Sequence, residues 1–458
     1  MTQHFDAIVI GTGQAGPPLA ARLAGAGMKV AIVERGRFGG TCVNTGCIPT
    51  KTLIASAYAA QLARRAAEYG VSVGPVSVDM KAVKARKDRI SGRSNHGVEQ
   101  WVRGLENTTV FQGHARFERA NAVRVGDDVL EADRIFINVG GRAQIPPMPG
   151  LDSVPYLTNS TMMDVDFLPE HLVIVGGSYV GLEFGQMYRR FGSQVTIVEK
   201  GSRLIRREDE DVSQAVHEIL ANEGIDVQLD ANCLTARRDG DGVVVGLDCT
   251  GGRREVAGSH LLLAVGRVPN TDDLGLEQAG VAVDARGYIT VDDQLRTNVP
   301  GIWALGDCNG RGAFTHTAYN DYEIVAANLL DDDPRKVTDR IAAYAMYIDP
   351  PLGRVGMTLA EARQTGRRLL VGTRPMTRVG RAVEKGESQG FMKVIVDADN
   401  HAILGASILG VTGDEVVHGL LDVMAAGAPY TTISRAMHIH PTVSELVPTL
   451  LQDLHPVE

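Results

Sequence analysis

Residues 7–16 read Ala7-Ile8-Val9-Ile10-Gly11-Thr12-Gly13-Gln14-Ala15-Gly16: an apolar run of strand type passes straight into three glycines at the spacing of a strand-to-helix turn. An Ala/Leu-rich stretch continues to about Ala26, and a second apolar run, Val30-Ala31-Ile32-Val33, ends in Glu34. Each part has a physical task. The glycines allow a sharp turn and close approach of the backbone to a ligand, the helix start offers unpaired N–H groups to a pyrophosphate, and the acid accepts from a ribose hydroxyl. A Gly-rich turn alone is common in packed cores. Strand, glycines, helix and acid in this order make Gly11, Gly13, Ala15, Gly16 and Glu34 candidate cofactor-binding residues.

The arrangement occurs twice. Leu172-Val173-Ile174-Val175 leads into Gly176-Gly177-Ser178-Tyr179-Val180-Gly181, a helical stretch, and then Val195-Thr196-Ile197-Val198-Glu199, and the interval from first glycine to acid is 23 residues in both copies. Ser178 stands where the second fingerprint usually has its middle glycine, which predicts a reshaped pyrophosphate site. Two dinucleotide units in one chain point to a flavin and a nicotinamide held by different domains, so that hydride can pass between them.

Composition agrees with an α/β enzyme of two to four domains: 458 residues, 44% apolar, 5% aromatic, with 52 glycines scattered at turns and helix starts. The formal charge of -9 and the absence of any basic run beyond Arg203, Arg206 and Arg207 argue against nucleic acid and anionic membrane as partners. Met1 to Asp6 leave no room for a signal segment before the first strand, and no stretch approaches 18 consecutive apolar residues. The expected location is cytoplasmic. Of five cysteines, Cys233, Cys249 and Cys308 read as isolated, which leaves Cys42 and Cys47.

These two lie in Gly39-Gly40-Thr41-Cys42-Val43-Asn44-Thr45-Gly46-Cys47-Ile48-Pro49-Thr50-Lys51, eight residues beyond Glu34, so the first dinucleotide unit is expected to hold the flavin. Positions five apart on an ideal helix are too distant for S–S bonding, so the segment must be a loop or a distorted first turn. Pro49 places Cys47 near a helix N-terminus, where a thiol's pKa falls. A redox pair fits best; half a zinc site or two core cysteines are the alternatives, though zinc would want a second Cys/His pair at ligand spacing and none of the remaining cysteines is paired.

At these residues the chain resembles the class I pyridine nucleotide–disulfide oxidoreductases, the group of dihydrolipoamide dehydrogenase, glutathione reductase and mercuric reductase. The likeness extends over essentially the whole chain. Thr297-Asn298-Val299-Pro300-Gly301-Ile302-Trp303-Ala304-Leu305-Gly306-Asp307 is similar to the family's second flavin motif, in which the aspartate binds ribitol; Ala264-Val265-Gly266-Arg267-Val268-Pro269-Asn270 is similar to the close of its nicotinamide domain. Phe314-Thr315-His316-Thr317-Ala318 matches the loop beside the flavin pyrimidine, and Val139-Gly140-Gly141 replaces an Ala-Thr-Gly turn.

The resemblance implies two Rossmann-like dinucleotide-binding domains followed by a C-terminal α+β dimerisation domain. Residues 1–150 and 271–337 would bind FAD, 151–270 NAD(P), and 338–458 would form the interface of a homodimer. It implies FAD contacts from Thr41, Lys51, His114, Ala115, Gly140, Asp307 and Thr315. Nicotinamide nucleotide contacts would come from Gly176, Tyr179, Val180, Glu199 and Gly266, with Tyr179 as the gate of the nicotinamide pocket. Glu183 would pair with Lys51, electrons would pass through the flavin to a Cys42–Cys47 disulfide, and His440, oriented by Glu445, would serve as acid–base at the disulfide of the other subunit. His438 would be structural. Cis bonds are expected before Pro350 and Pro441. NADH is expected over NADPH because Glu199 repels a 2′-phosphate, although Lys200, Arg203 and Arg206 pull the other way.

The acceptor is less defined. His440-Pro441-Thr442-Val443-Ser444-Glu445 leans toward a small disulfide or dithiol substrate, as in dihydrolipoamide dehydrogenase. Residues 47–53, 321–325 and 350–358 look closer to bacterial copper(II)-reducing flavoproteins of reactive-chlorine resistance. Hg(II) is the weaker metal candidate, since no cysteine follows Cys308. No resident metal site is expected. A redox-sensing flavoprotein with little turnover is the alternative from another class, and it would not require an aligned acid–base.

Overall fold

A computed structural model describes residues 1–248 and 254–457. In its first sheet Val30–Glu34 and Asp128–Ile137 flank Thr2–Ile10, all parallel, with Thr108–Gln112 beyond Val30–Glu34. Ala7 to Ile10 and Val30 to Val33 are almost wholly buried, as strands covered on both faces must be. Leu19 and Leu23 of helix Gly16–Gly25 are fully buried with them, and each such side chain contributes about 1.5–3 kcal/mol by leaving water. The antiparallel strands Ala115–Arg119 and Ala122–Val125 extend the other edge. Much later in the chain, Ile302–Ala304 returns to pair in parallel with Ile135, Phe136 and Ile137, which brings Gly306 and Asp307 to the end of the sheet where Gly11 turns.

The second unit repeats this logic. Asp226–Gln228, Gln194–Val198, His171–Val175 and His260–Leu263 form a parallel sheet in that order, and helix Tyr179–Phe191 packs over it. An antiparallel sheet, Thr235–Asp239, Gly242–Gly246 and Glu255–Gly258, adjoins it. The C-terminal part is built on an antiparallel sheet of Ala343–Met346, Leu352–Gly356, Ile403–Leu409, Phe391–Asp397, Leu369–Pro375 and His455–Pro456, backed by helix Gly413–Ala425. The peptide bonds before Pro350 and Pro441 are cis, as the sequence motifs predict. Among the described residues no helix is long and apolar enough to cross a membrane.

Both glycine turns are shaped by the same close approach. A Cβ on Gly11 would lie 2.4 Å from the Asn138 carbonyl oxygen and one on Gly176 2.3 Å from that of Ala264, while φ is +105° and +120° at the two positions. Gly176→Ala is therefore expected to cost about 2–3 kcal/mol, combining a strained φ with a steric clash. Gly27→Ala, also at positive φ but with nothing within 4 Å of its Cβ, should cost about 1 kcal/mol. Urea unfolding of the two variants checks this; equal losses would contradict the close-approach argument.

Candidate active site

The carboxyl ends of the two parallel sheets open into one cavity of about 1630 Å3, larger than the roughly 300–1,000 Å3 typical of a site for one small ligand. Both glycine turns line it. At its first end Glu34 Oε2 accepts from the Thr12 N–H at 3.0 Å and its hydroxyl at 2.5 Å, and Oε1 accepts from the Gly36 N–H at 2.8 Å. At the other end Glu199 Oε2 accepts from the Gly177 N–H and Oε1 from the Gly201 N–H, both at 2.7 Å. Each acid thus ties its strand end to its own glycine turn. Ser178 has φ -115° and an extended backbone, a conformation any residue adopts, so its lost glycine leaves this turn intact.

Asn138 sits beside the first turn, 6% exposed, and its Nδ2 has no hydrogen-bond partner within the chain. Buried donors are seldom left unpaired, so this amide suits a ligand oxygen arriving at the glycine turn, and the residues present fit a dinucleotide there. Gly140, His114, Ala115, Thr41, Asp307 and Thr315 line the same end; Gly266, Tyr179 and Val180 line the other. Burial pushes the Asp307 carboxyl up, against the pull of Arg267 at 3.3 Å. Ala15 and Gly16 do not line the cavity: Ala15 is fully buried, and Gly16 opens the helix behind the turn with its N–H donated to the Gly13 carbonyl.

Between the two ends lie the cysteines. Cys42 is on the short helix Gly40–Asn44, Thr45 and Gly46 break that helix, and Cys47 opens helix Cys47–Arg64. Asn44 holds the bend by donating from Nδ2 to the carbonyls of Phe38 at 2.8 Å and Gly40 at 2.9 Å. Both cysteines are free thiols, and Cys47 Sγ lies 3.0 Å from the Thr315 hydroxyl. The Cys42 thiol, the Thr315 hydroxyl and the Lys51 charge hold Cys47 below the usual thiol range, whereas its neighbour and burial push Cys42 up. A single negative charge on the pair is therefore favoured at Cys47.

Lys51 Nζ is 2.7 Å from Glu183 Oε2 and 4.6 Å from the centre of the Tyr347 ring, and Glu183 Oε1 accepts from the Tyr347 N–H at 2.9 Å. The Tyr179 hydroxyl donates to Glu208 Oε1 at 2.7 Å, a partner that the sequence does not single out. Tyr344, Tyr347 and Asn138 were also missed; only their place on the cavity wall marks them.

His440 and Glu445 are not among the residues lining this cavity. They do meet each other: His440 Nδ1 lies 2.9 Å from Glu445 Oε2 on an exposed loop, where Met437 and Ile439 are 98% and 79% exposed. His438 Nδ1 lies 2.9 Å from the Ser444 carbonyl. One expectation is corrected. Cys233, which spacing marks as isolated, is disulfide-bonded. Cys249 lies outside the described residues. Cys308 is a buried free thiol whose pKa is pushed up to about 12, so it is inert.

Alkylation of the reduced protein by iodoacetamide tests the charge asymmetry. Reactivity at Cys47 should appear well below pH 8.5, the ordinary thiol value. Thr315→Val, which removes one donor to the thiolate, should raise the midpoint by roughly one unit. A profile centred at or above the ordinary value would contradict the assignment.

Residues 5–321 match the model of the pyridine nucleotide-disulphide oxidoreductases, and residues 342–451 match their dimerisation domain. The chain is 36% identical to the probable pyridine nucleotide-disulfide oxidoreductase RclA of Escherichia coli, over 96% of this chain and 97% of that protein. It is 33% identical both to a dihydrolipoyl dehydrogenase of Haloferax volcanii and to a mercuric reductase of Streptomyces lividans, in each case over 96% of this chain and 94% of the relative. A solved Cu(II) complex of RclA, an HOCl-induced flavoprotein disulfide reductase from Escherichia coli, superposes with a TM-score of 0.90 at 35% identity, covering 98% of this chain and 99% of that one. The chain belongs to the pyridine nucleotide-disulphide oxidoreductase family, as a homodimeric flavoprotein enzyme with FAD and a pyridine nucleotide as cofactors.

Proposed function

We propose that the chain is a reductase that delivers electrons from NADH, through the Cys42–Cys47 pair, to a small disulfide substrate. The observation that carries this reading is the placement of Cys42 and Cys47 in the cavity that both glycine turns line, with Cys47 Sγ 3.0 Å from the Thr315 hydroxyl. FAD, when bound at the first glycine turn, supplies a two-electron carrier between the nicotinamide and the cysteines. The remaining work falls to side chains of this chain. Cys42 gives its proton to His440 and attacks one sulfur of the substrate, forming a mixed disulfide while the second substrate sulfur leaves and takes a proton from His440. The Cys47 thiolate then attacks the Cys42 sulfur, closing the Cys42–Cys47 disulfide and releasing the first substrate sulfur as a thiolate that takes its proton from water. Glu445 orients the His440 ring and stabilises its charged form. Lys51, paired with Glu183, keeps positive charge beside the Cys47 thiolate.

His440 acts, in this reading, on the partner's cysteines. Its loop exposes Met437 and Ile439, apolar side chains suited to burial against a second subunit, while its own cavity has no imidazole from that loop. NADH is favoured over NADPH because Glu199 accepts a ribose hydroxyl and repels a 2′-phosphate. A cytoplasmic location fits a cysteine pair that must cycle between thiol and disulfide. Cu(II) is the second reading, favoured by the RclA complex that superposes over nearly the whole chain. Among the described residues no cluster of three or more His, Cys, Asp or Glu is poised to hold a resident metal, so copper would arrive as substrate at the thiols.

Steady-state oxidation of NADH with oxidised lipoamide, oxidised glutathione, Cu(II) and Hg(II), each offered separately, tests the acceptor. Fast turnover with a disulfide that collapses in His440→Ala is expected; turnover with Cu(II) alone would favour the second reading, and none with any acceptor would contradict both. A kcat/KM tenfold higher with NADPH would overturn the nucleotide preference. Subunit sharing is tested by mixing Cys47→Ser and His440→Ala chains under conditions of subunit exchange: about half the dimers are mixed, each with one intact site, and about a quarter of wild-type activity should return. Mixtures no better than the separate variants, despite confirmed exchange, would show that His440 acts within its own chain or not at all.

A further inference from the structure

Glu208 is an almost wholly buried acid within the run of charges at 206–211. Its Oε1 accepts from two phenols, Tyr179 and Tyr344, both at 2.7 Å. Its Oε2 lies 3.3 Å from Nε of Arg354, itself 1% exposed, as an ion pair without hydrogen-bond alignment, and neither atom has a hydrogen-bond partner. Arg354 is in turn fixed through Nη1, which donates to the carbonyls of Val355 at 3.0 Å and Ala406 at 2.9 Å. The neighbouring Asp209 is held by Lys393 and by the N–H groups of Leu359 and Ala360. The carboxylate of Glu208 is thus bolted to the C-terminal sheet from two sides.

Tyr179 is the partner on the cavity wall. It is the first residue of helix Tyr179–Phe191, its ring lies on the cavity wall, and the ring centre is 5.7 Å from that of Tyr344 and 6.5 Å from that of Phe314. Burial and the charge of Glu208 push the Tyr179 hydroxyl up, so it stays protonated and remains a donor.

We propose that Glu208 is a positioning residue for the nicotinamide site, latching the Tyr179 ring shut through its hydroxyl so that each nucleotide that enters must break this hydrogen bond. The inference rests on the reading of Tyr179 as the wall of the nicotinamide pocket. When the ring swings away, Tyr344 and Arg354 still serve the carboxylate, so opening leaves no buried charge unpaired. A latch of this kind lowers nucleotide affinity without touching the step after binding.

Rapid anaerobic mixing of the holoenzyme with NADH, followed by loss of flavin absorbance, yields an apparent Kd and a limiting rate with no acceptor present. Tyr179→Phe keeps the ring and removes the donor; its Kd should fall about tenfold, the size expected for one hydrogen bond to a charged group, a larger change than any in the limiting rate. Glu208→Gln should move Kd in the same direction, and if it does not fold, Tyr179→Phe alone decides. Tyr179→Ala, which removes the ring, separates the two ideas. A lower Kd in Tyr179→Ala with none in Tyr179→Phe overturns the latch and leaves the gate standing. No change in Tyr179→Ala overturns the gate and the latch together, and a raised Kd in Tyr179→Phe overturns the latch.

Discussion

Lys51 and Glu183 meet at 2.7 Å across the join between the two dinucleotide units, one on the helix that begins with Cys47 and the other on the helix that follows the second glycine turn. Glu183 is only 7% exposed at its side chain, so its charge needs a partner. Such a pair contributes little net stability once desolvation is counted, but it is unforgiving of displacement. The helices that carry it pack against each other, with Leu53 and Ala57 in the same apolar cluster as Leu182 and Phe184. Fixing this register sets the cysteines in the cavity that both glycine turns line. Everything chemical in the cavity depends on that register being held.

Electrostatics then divides labour between two sulfurs that lie close together. A second negative charge beside the first is costly, so one cysteine ionises readily and the other resists. Thr315 lowers both thiols, and the Lys51 charge, which acts on Cys47, tips the pair in its favour. The thiol that remains then needs an external base. In the proposed reading that base is His440, which lies on the far loop set against Glu445. Dimerisation is therefore part of the chemistry in this reading.

Local order carried much of this in the sequence. The duplicated turn was readable because the chemistry of a tight strand-to-helix crossing restricts residue type at fixed offsets, and Gly11 and Gly176 are held by clashes of the same kind. The helix start at Cys47 was readable from Pro49 and Gly46. The partners of Tyr179 were not. Glu208 sits in a run of charges, Arg206-Arg207-Glu208-Asp209-Glu210-Asp211, whose local pattern is that of a solvated turn, and only the returning C-terminal sheet buries it against Arg354. Cys233 was misread for a similar reason, since pairing through space has no signature in spacing. Asn138 follows an ordinary buried strand, and its unpaired amide becomes visible only when the glycine turn is packed beside it.

In the proposed reading electrons leave through Cys42 and Cys47. Anaerobic titration of the oxidised holoenzyme with one equivalent of NADH, followed by differential alkylation and peptide mapping, measures this directly. Two new thiols per subunit are expected, at Cys42 and Cys47, with Cys308 unlabelled in the folded protein both before and after. Consumption of NADH with no new thiol at either position would contradict it.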